Sequence, residues 1–229
     1  MVLRLLEQLC HRVQWIGEVV LTHNLAAEPV PAPPGGWPFR FIEVFNTVPA
    51  GFGANHNQAF TRCSSEFFCV LNPDIELNDP AIWERLVQRG REDRVGCAYP
   101  VLLNPDGSRQ ENEREAVSPL ALLRRHVLKR AQLRADWVSA AFWLVRAVAW
   151  RDVGGFDERY FMYCEDTDFC LRLQMAGWKL ARADATAVHD ASWSSRQFGT
   201  HLAWHLTSMM RLWLQPTLRR YIFWRMHGA

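Results

Sequence analysis

At 229 residues the chain has room for one α/β domain with a full core, or one domain with an appended tail. Hydrophobic residues make up 49% and charged residues 22%, the balance of a folded globular protein, and a net charge of +2 argues against a nucleic-acid partner. Six cysteines, at 10, 63, 69, 97, 164 and 170, form no CxxC pair and no zinc spacing, so they read as free thiols in a reducing, cytoplasmic setting.

Leu3 to Val13 places Leu5, Leu6, Leu9 and Val13 at helical spacing, and Glu18 to Thr22 reads as a buried strand ending at His23 and Asn24. Residues 29–38, with five prolines and two glycines, make an irregular surface connection before a second strand, Phe39 to Phe45. In GFGANHNQAF, Gly51 and Gly53 precede a helix expected from Ala54; they serve either to admit a phosphate to backbone amides or to make a tight turn. The strand Glu66 to Leu71 runs into Asn72, Pro73 and Asp74, and ligands of open α/β sheets collect beyond such strand ends. A helix at Pro80 to Arg89 and a strand at Val95 to Leu103 follow, then a hairpin turn at Asn104, Pro105, Asp106 and Gly107. Arg114 to Arg134 is basic and leucine-rich, a helix or two across the site, and Asp136 to Val145 is a buried strand. The apolar run around it, Trp137 to Trp150, is too short to span a bilayer and leads into a turn.

The central stretch, Val153 to Asp168, joins a glycine turn at Gly154 and Gly155, an aromatic wall from Tyr160 to Tyr163, and Glu165, Asp166 and Asp168 at the start of a helix that Gly177 stops. Acids in a first helical turn cap open amides and complement the macrodipole. A carboxylate beside an aromatic wall is also poised as a general base, because exclusion of water moves its pKa toward neutrality. Both readings stay open on spacing alone. Trp178 to Ala183 reads as a short strand, with His189 beyond it. From His201 the chain mixes Trp204, Trp213 and Trp224 with Arg211, Arg219, Arg220 and Arg225, and Pro216 divides it into two helices. Such a tail suits peripheral contact with the inner face of the plasma membrane; it equally suits packing on its own domain or on a second copy in a homodimer.

Five segments carry a family resemblance: GFGANHNQAF at 51–60, FFCVLNPDIEL at 67–77, DWVSAAFWLVR at 136–146, residues 154–180, and AVHDASWSS at 187–195. In this order and spacing the chain resembles glycosyltransferase family 2, and within it the rhamnosyltransferase-like proteins of bacterial surface polysaccharide assembly. The resemblance implies an α/β fold of the GT-A type, with a mixed, mostly parallel sheet flanked by helices over residues 1–200 and a helical tail over 201–229. It implies inverting transfer of a sugar, rhamnose or another deoxyhexose among the candidates, from a dTDP- or UDP-linked donor to a glycan or lipid-linked glycan. Asp166 matches the catalytic base, with Glu165 and Asp168 orienting the loop or acceptor. Asp74 matches a metal-binding acid and His189 a histidine that completes the coordination of Mn2+ or Mg2+ in relatives. Gly51, Phe52, Gly53, Asn57 and Asn72 match the donor pocket.

The start departs from that pattern. Family members open with a strand that is central to the sheet, then a helix, then a second strand. Here Leu3 to Val13 matches the helix and Val19 to Asn24 the second strand, so the first strand is expected to be missing and Met1 to be an internal methionine of a longer reading frame. A competing alignment makes EVVLTHN the first strand itself. A catalytically degenerate sugar-nucleotide binder or inactive partner is the alternative function. A nucleotidyltransferase is disfavoured, because no basic, glycine-rich phosphate loop stands near the start.

Overall fold

The computed structural model describes residues 1–116, 134–191 and 198–227. Most of the basic stretch expected to be helical between Arg114 and Arg134 lies outside the described residues. The chain opens with α1 (Val2–Cys10), whose Leu5, Leu6 and Leu9 recur at helical spacing and are buried. β1 (Glu18–His23) and β2 (Arg40–Phe45) then pair in parallel from Glu18 opposite Arg40 to His23 opposite Phe45, joined by the proline-rich connection. They form a two-stranded sheet of their own.

α2 (Phe52–Phe60) starts two residues before the expected Ala54, directly after Gly51. It leads to β3 (Phe67–Leu71), the short β4 (Ile75–Glu76), α3 (Ile82–Gly90) and β5 (Val95–Leu103). The expected turn forms at Asn104–Ser108, with Gly107 at φ 83°. The expected strand Asp136 to Val145 is broken in two: β7 (Trp137–Val138) pairs with β6 (Glu113–Arg114), while β8 (Phe142–Arg146) enters the main sheet. The break is local, since Ser139 N–H donates to Asn112 rather than to a neighbour in that sheet. The apolar run then coils into α4 (Ala147–Val153), where a strand running into a turn was expected. α5 (Glu165–Met175) carries the acids in its first turn, and Gly177 ends it at φ 85°. β9 (Lys179–His189) is longer than expected and reaches His189 itself.

The main sheet has the order β3-β8-β5-β9-β4. It is mixed, as expected, but not mostly parallel: among the described residues β5 pairs with β9 in parallel, while β8 runs antiparallel to both β3 and β5, and β4 antiparallel to β9. The cause is the turn after β5, which sends the chain back so that β8 re-enters from the end at which β5 left. Helices cover both faces. Ala181, Ala183, Ala185 and Ala187 alternate along β9 and let Ile82, Trp83 and Leu86 of α3 approach closely on one side. On the other, Trp143, Trp150, Phe156 and Phe169 interlock with ring centroids 5.0–5.9 Å apart.

Pro216 does divide the tail, standing first in the second of two helices, α6 (Phe198–Leu214) and α7 (Pro216–His227). One side of the tail packs on the domain, with Leu212, Leu218 and Tyr221 buried against Tyr160 and Leu171. The Tyr221 hydroxyl donates at 2.8 Å to Asp136, a buried carboxylate that also receives Ala116 N–H and Arg134. All six cysteines are free thiols. Among the described residues no helix is long and apolar enough to cross a membrane.

Candidate active site

The turn between α4 and α5 aims the acids. Gly154 (φ 73°) and Gly155 (φ 71°) reverse the chain, and a Cβ on Gly155 would strike the Asn57 side chain. Asn57 clasps the peptide groups of Phe156, accepting its N–H and donating to its C=O, both at 2.9 Å. At the far end Tyr163 (φ 70°) and Cys164 (φ 66°) are both left-handed, a conformation that costs non-glycine residues about 1–3 kcal/mol each and persists only where the surroundings enforce it. Glu165 and Asp166 emerge from this strained pair into a large cavity.

The two carboxylates differ. Glu165 is 5% exposed and its Oε2 has no hydrogen-bond partner; burial, reinforced by the Asp166 charge, raises its pKa to about 8. Asp166 is half-buried, and burial raises it to about 6, opposed by N–H donors from Thr167 and Ala140, the Thr167 hydroxyl and the Arg114 charge. Burial thus favours retention of a proton by the pair, more strongly at Glu165 than at Asp166. Asp168 is not with them. It is 1% exposed and pairs at 2.7 Å with Arg172, whose guanidinium also holds the carbonyls of Val153 and Gly155. Its charge braces the turn from behind.

β4 and β9 bring Asp74 and His189 together, through Ile75 opposite His189 and the Asp190 N–H to Asp74 C=O bond. The Gln110 amide nitrogen donates to the His189 carbonyl at 2.7 Å, so the Gln110 oxygen is the atom that faces His189 Nδ1 at 3.0 Å. Nδ1 then carries a ring proton. His189 Nε2 faces Asp74 Oδ1 at 3.4 Å, and Oδ1 is buried with no hydrogen-bond partner. An imidazole nitrogen beside a carboxylate oxygen is a pair that fits a shared cation, and a carbonyl-fixed imidazole is the usual outer support of a metal-bound histidine. Among the described residues no group of three or more His, Cys, Asp or Glu could hold a metal ion. Asp74 and His189 would therefore supply only part of a coordination sphere.

The residues expected to bind the donor divide. Phe52 and Asn72 border the cavity; Gly51, Gly53 and Asn57 are not among its lining residues. Cβ atoms at Gly51 and Gly53 would stand 2.8 Å from the Phe161 carbonyl oxygen and 2.7 Å from Phe156 Cβ. These glycines thus serve the tight-turn reading, letting α2 dock on the 156–161 loop. Other lining residues were not singled out from the sequence. Asn24 holds the backbone of Ala50 and, through Asn46, Asn55; His56 is kept neutral by burial, its pKa lowered to about 4; Tyr163 bonds His201 at 2.6 Å and meets the His205 ring at a tilt, with centroids 4.9 Å apart. The Thr-His-Asn end of the first strand was a legible signal for Asn24, whereas the two histidines are placed only by the packing of α6.

The cavity, about 1970 Å³, exceeds the usual range of about 300–1,000 Å³ for a small-molecule site, and it has two parts. A polar end holds Asn72, Asp74, His189, Glu165, Asp166 and Arg114; an apolar slot runs from it between β1 and β3.

Residues 126–223 match the family described as glycosyl transferase family group 2. The chain is 33% identical over 192 residues to an N-acetylglucosaminyl-diphospho-decaprenol L-rhamnosyltransferase of Mycobacterium tuberculosis, an alignment covering 75% of this chain and 62% of the relative. It therefore spans less than two thirds of that relative's length. Over 78 residues it is 46% identical to rhamnosyltransferase WbbL of Escherichia coli, covering 33% of this chain and 30% of that protein. In fold it is similar to a mannosyltransferase of Pyrobaculum calidifontis in complex with GDP-Man and Mn2+, with a TM-score of 0.58 and 14% identity over 98% of this chain and 72% of the other. The chain thus has a GT-A-like fold, and it is homologous to rhamnosyltransferases of glycosyltransferase family 2 over part of its length.

Proposed function

We propose that the chain is an inverting glycosyltransferase that moves a sugar from a nucleotide-diphosphate donor to a glycan or lipid-linked glycan. The observation that carries this reading is that Asp166, beside the buried Glu165, and Asp74, facing Nε2 of His189, line one cavity. Asp166 accepts the proton of the acceptor hydroxyl as that oxygen attacks the anomeric carbon. The bond from that carbon to the diphosphate oxygen breaks on the opposite face, so one displacement inverts the centre and needs no covalent intermediate. Asp74 and His189 would hold Mn2+ or Mg2+, which supplies charge neutralisation for the departing diphosphate. Glu165, Arg114 and Tyr163 shape the acceptor side. The rhamnosyltransferase relatives favour a deoxyhexose donor.

Exposed Leu202, Leu206, Met210 and Leu214 recur every fourth residue along α6, with exposed Phe223, Arg219 and Arg220 on α7, and they support peripheral membrane docking beside a lipid-linked acceptor. A non-catalytic sugar-nucleotide binder is the second reading, favoured by the open slot beside the donor end. Calorimetric titration with dTDP and UDP, with and without Mn2+, on the chain and on Asp74→Ala, tests both. Metal-dependent binding of one nucleotide, lost in Asp74→Ala, is expected. Binding to neither would sink both readings, and binding without sugar transfer or donor hydrolysis would leave the second.

A further inference from the structure

Two left-handed residues in a row, Tyr163 and Cys164, stand directly before the acids and need something to hold them. Left to itself the backbone would return to negative φ, and a rotation of that size would turn Glu165 and Asp166 away from the cavity. The segment ahead of the acids makes its hydrogen bonds outward. The Phe161 carbonyl accepts the Phe52 N–H of α2 at 2.9 Å, and the Met162 carbonyl accepts the Ser208 hydroxyl of α6 at 2.7 Å. The Tyr163 hydroxyl meets His201 Nδ1 at 2.6 Å, and the Phe161 and Trp204 rings lie 5.0 Å apart. His201, Trp204, His205 and Ser208 are spaced i, i+3, i+4 and i+7, so one face of α6 meets three successive residues of the turn. Ser208 is buried, and Leu212, one turn on, packs against Tyr160 and fixes that face to the domain.

We infer that α6 is the clamp of the acid-bearing turn: Ser208 and His201 are positioning residues that hold Tyr163 and Cys164 left-handed and through them aim Asp166 at the acceptor hydroxyl. The part given to Asp166 rests on the transferase reading above, and the clamp itself does not. Each contact has its own chemistry. A carbonyl turned into a packed helix needs a donor, and the Ser208 hydroxyl supplies one to Met162. The imidazole of His201 ties down the end of the Tyr163 side chain, which leaves that residue little freedom to change its backbone angles. Neither His201 nor Ser208 bonds to Glu165 or Asp166, so both act through the backbone. Asp74 and His189 are held instead by β4, β9 and Gln110. Loss of the clamp should therefore impair the proton-accepting side of the site and spare the donor side. The tail is then a working part of the site, acting from 38 and 46 residues downstream of the turn that it shapes.

Variants of the full chain test this: Ser208→Ala, Tyr163→Phe, His201→Leu and His201→Asn. The amide of His201→Asn stands where Nδ1 stood and keeps a partner for the Tyr163 hydroxyl, which His201→Leu removes. Hydrogen exchange read by mass spectrometry over residues 160–168 is expected to quicken about tenfold in the first three and to stay within about threefold in His201→Asn, with β5 unchanged throughout. In sugar transfer the first three should lower kcat at least about tenfold with donor KM within about twofold, and His201→Asn should recover most of the rate. Tyr163→Phe and His201→Leu together should lose no more than the worse of the two alone, because both remove one bond. Unchanged exchange over 160–168, or a rise shared equally by β5, would overturn the clamp. Local quickening with unchanged kcat, or a donor KM that rises in step with the fall in kcat, would overturn the positioning role. The exchange measurement needs neither nucleotide nor turnover, so it decides the clamp even where the transferase reading fails.

Discussion

The two sides of the cavity are built to different standards. On the side of the main sheet the elements that carry the acids and His189 have named supports: Arg172 braces the turn behind Asp168, Asn57 clasps Phe156, and Gln110 fixes the His189 ring. On the side of β1 and β2 a two-stranded sheet stands apart, and its link to the chemistry is a chain of three asparagines, Asn24, Asn46 and Asn55. Two strands alone are marginal in water. The side that carries Asp166 is thus held by many hydrogen bonds, whereas the side of β1 and β2 is held by few.

Substitutions on the well-supported side should separate chemistry from scaffolding. Asp166→Asn should lower the transfer rate about 10²–10⁴-fold, as loss of a general base does, with the denaturation midpoint nearly unchanged, read by product formation and urea titration. A rate within threefold of the unaltered chain would remove Asp166 from the role. Asn57→Ala should do the reverse, destabilising by about 2–4 kcal/mol because the Phe156 N–H and C=O both lose their partner. If its unfolding curve matched that of the unaltered chain, the clasp would be ornamental and the contrast between the two sides would weaken.

Acidity sharpens the comparison further. Glu165 has an ordinary value of 4.5 and is raised to about 8, so the folded state binds the extra proton between those values and loses that advantage as pH rises through the folded pKa. Glu165→Gln should therefore be the more stable form above pH 8, by up to about 5 kcal/mol, and the difference should vanish below about pH 4. Equal stability at every pH would mean that Glu165 is not buried with its charge. Transfer itself should fall as pH drops below about 6, where Asp166 takes up its proton. The smallest effect is expected in the tail, where Tyr221→Phe removes one hydrogen bond to Asp136 and should cost about 1 kcal/mol in thermal or urea unfolding.

Much of this was legible in the sequence, for identifiable reasons. Strand and helix periodicities located α1, β1, β3, β5 and both tail helices, because each buries one clear face. Asp74 and Glu165–Asp166 could be singled out because their position, at a strand end or helix start, is itself local information. The roles of Gly51, Gly53 and Asn57 were not legible. Their partners, Phe161 and Phe156, lie about a hundred residues away, and a glycine that admits a phosphate looks the same in sequence as one that admits an aromatic loop. Asp168 looked like its neighbours until Arg172 drew it to the other side of the helix. The break between β7 and β8 was hidden because an apolar run gives no sign of where it changes partners.

The Asn57 clasp also sets an order of events during synthesis. Asn57 and Phe156 are 99 residues apart, which at about 5–20 residues per second separates their emergence by about 5–20 s. For that interval α2 has its glycine-lined face made and nothing to dock on, and β3 waits a somewhat shorter time for β8. The ribosome therefore delivers the scaffold of the acid-bearing turn well before the turn itself, so the catalytic geometry is among the last features of the nascent chain to lock.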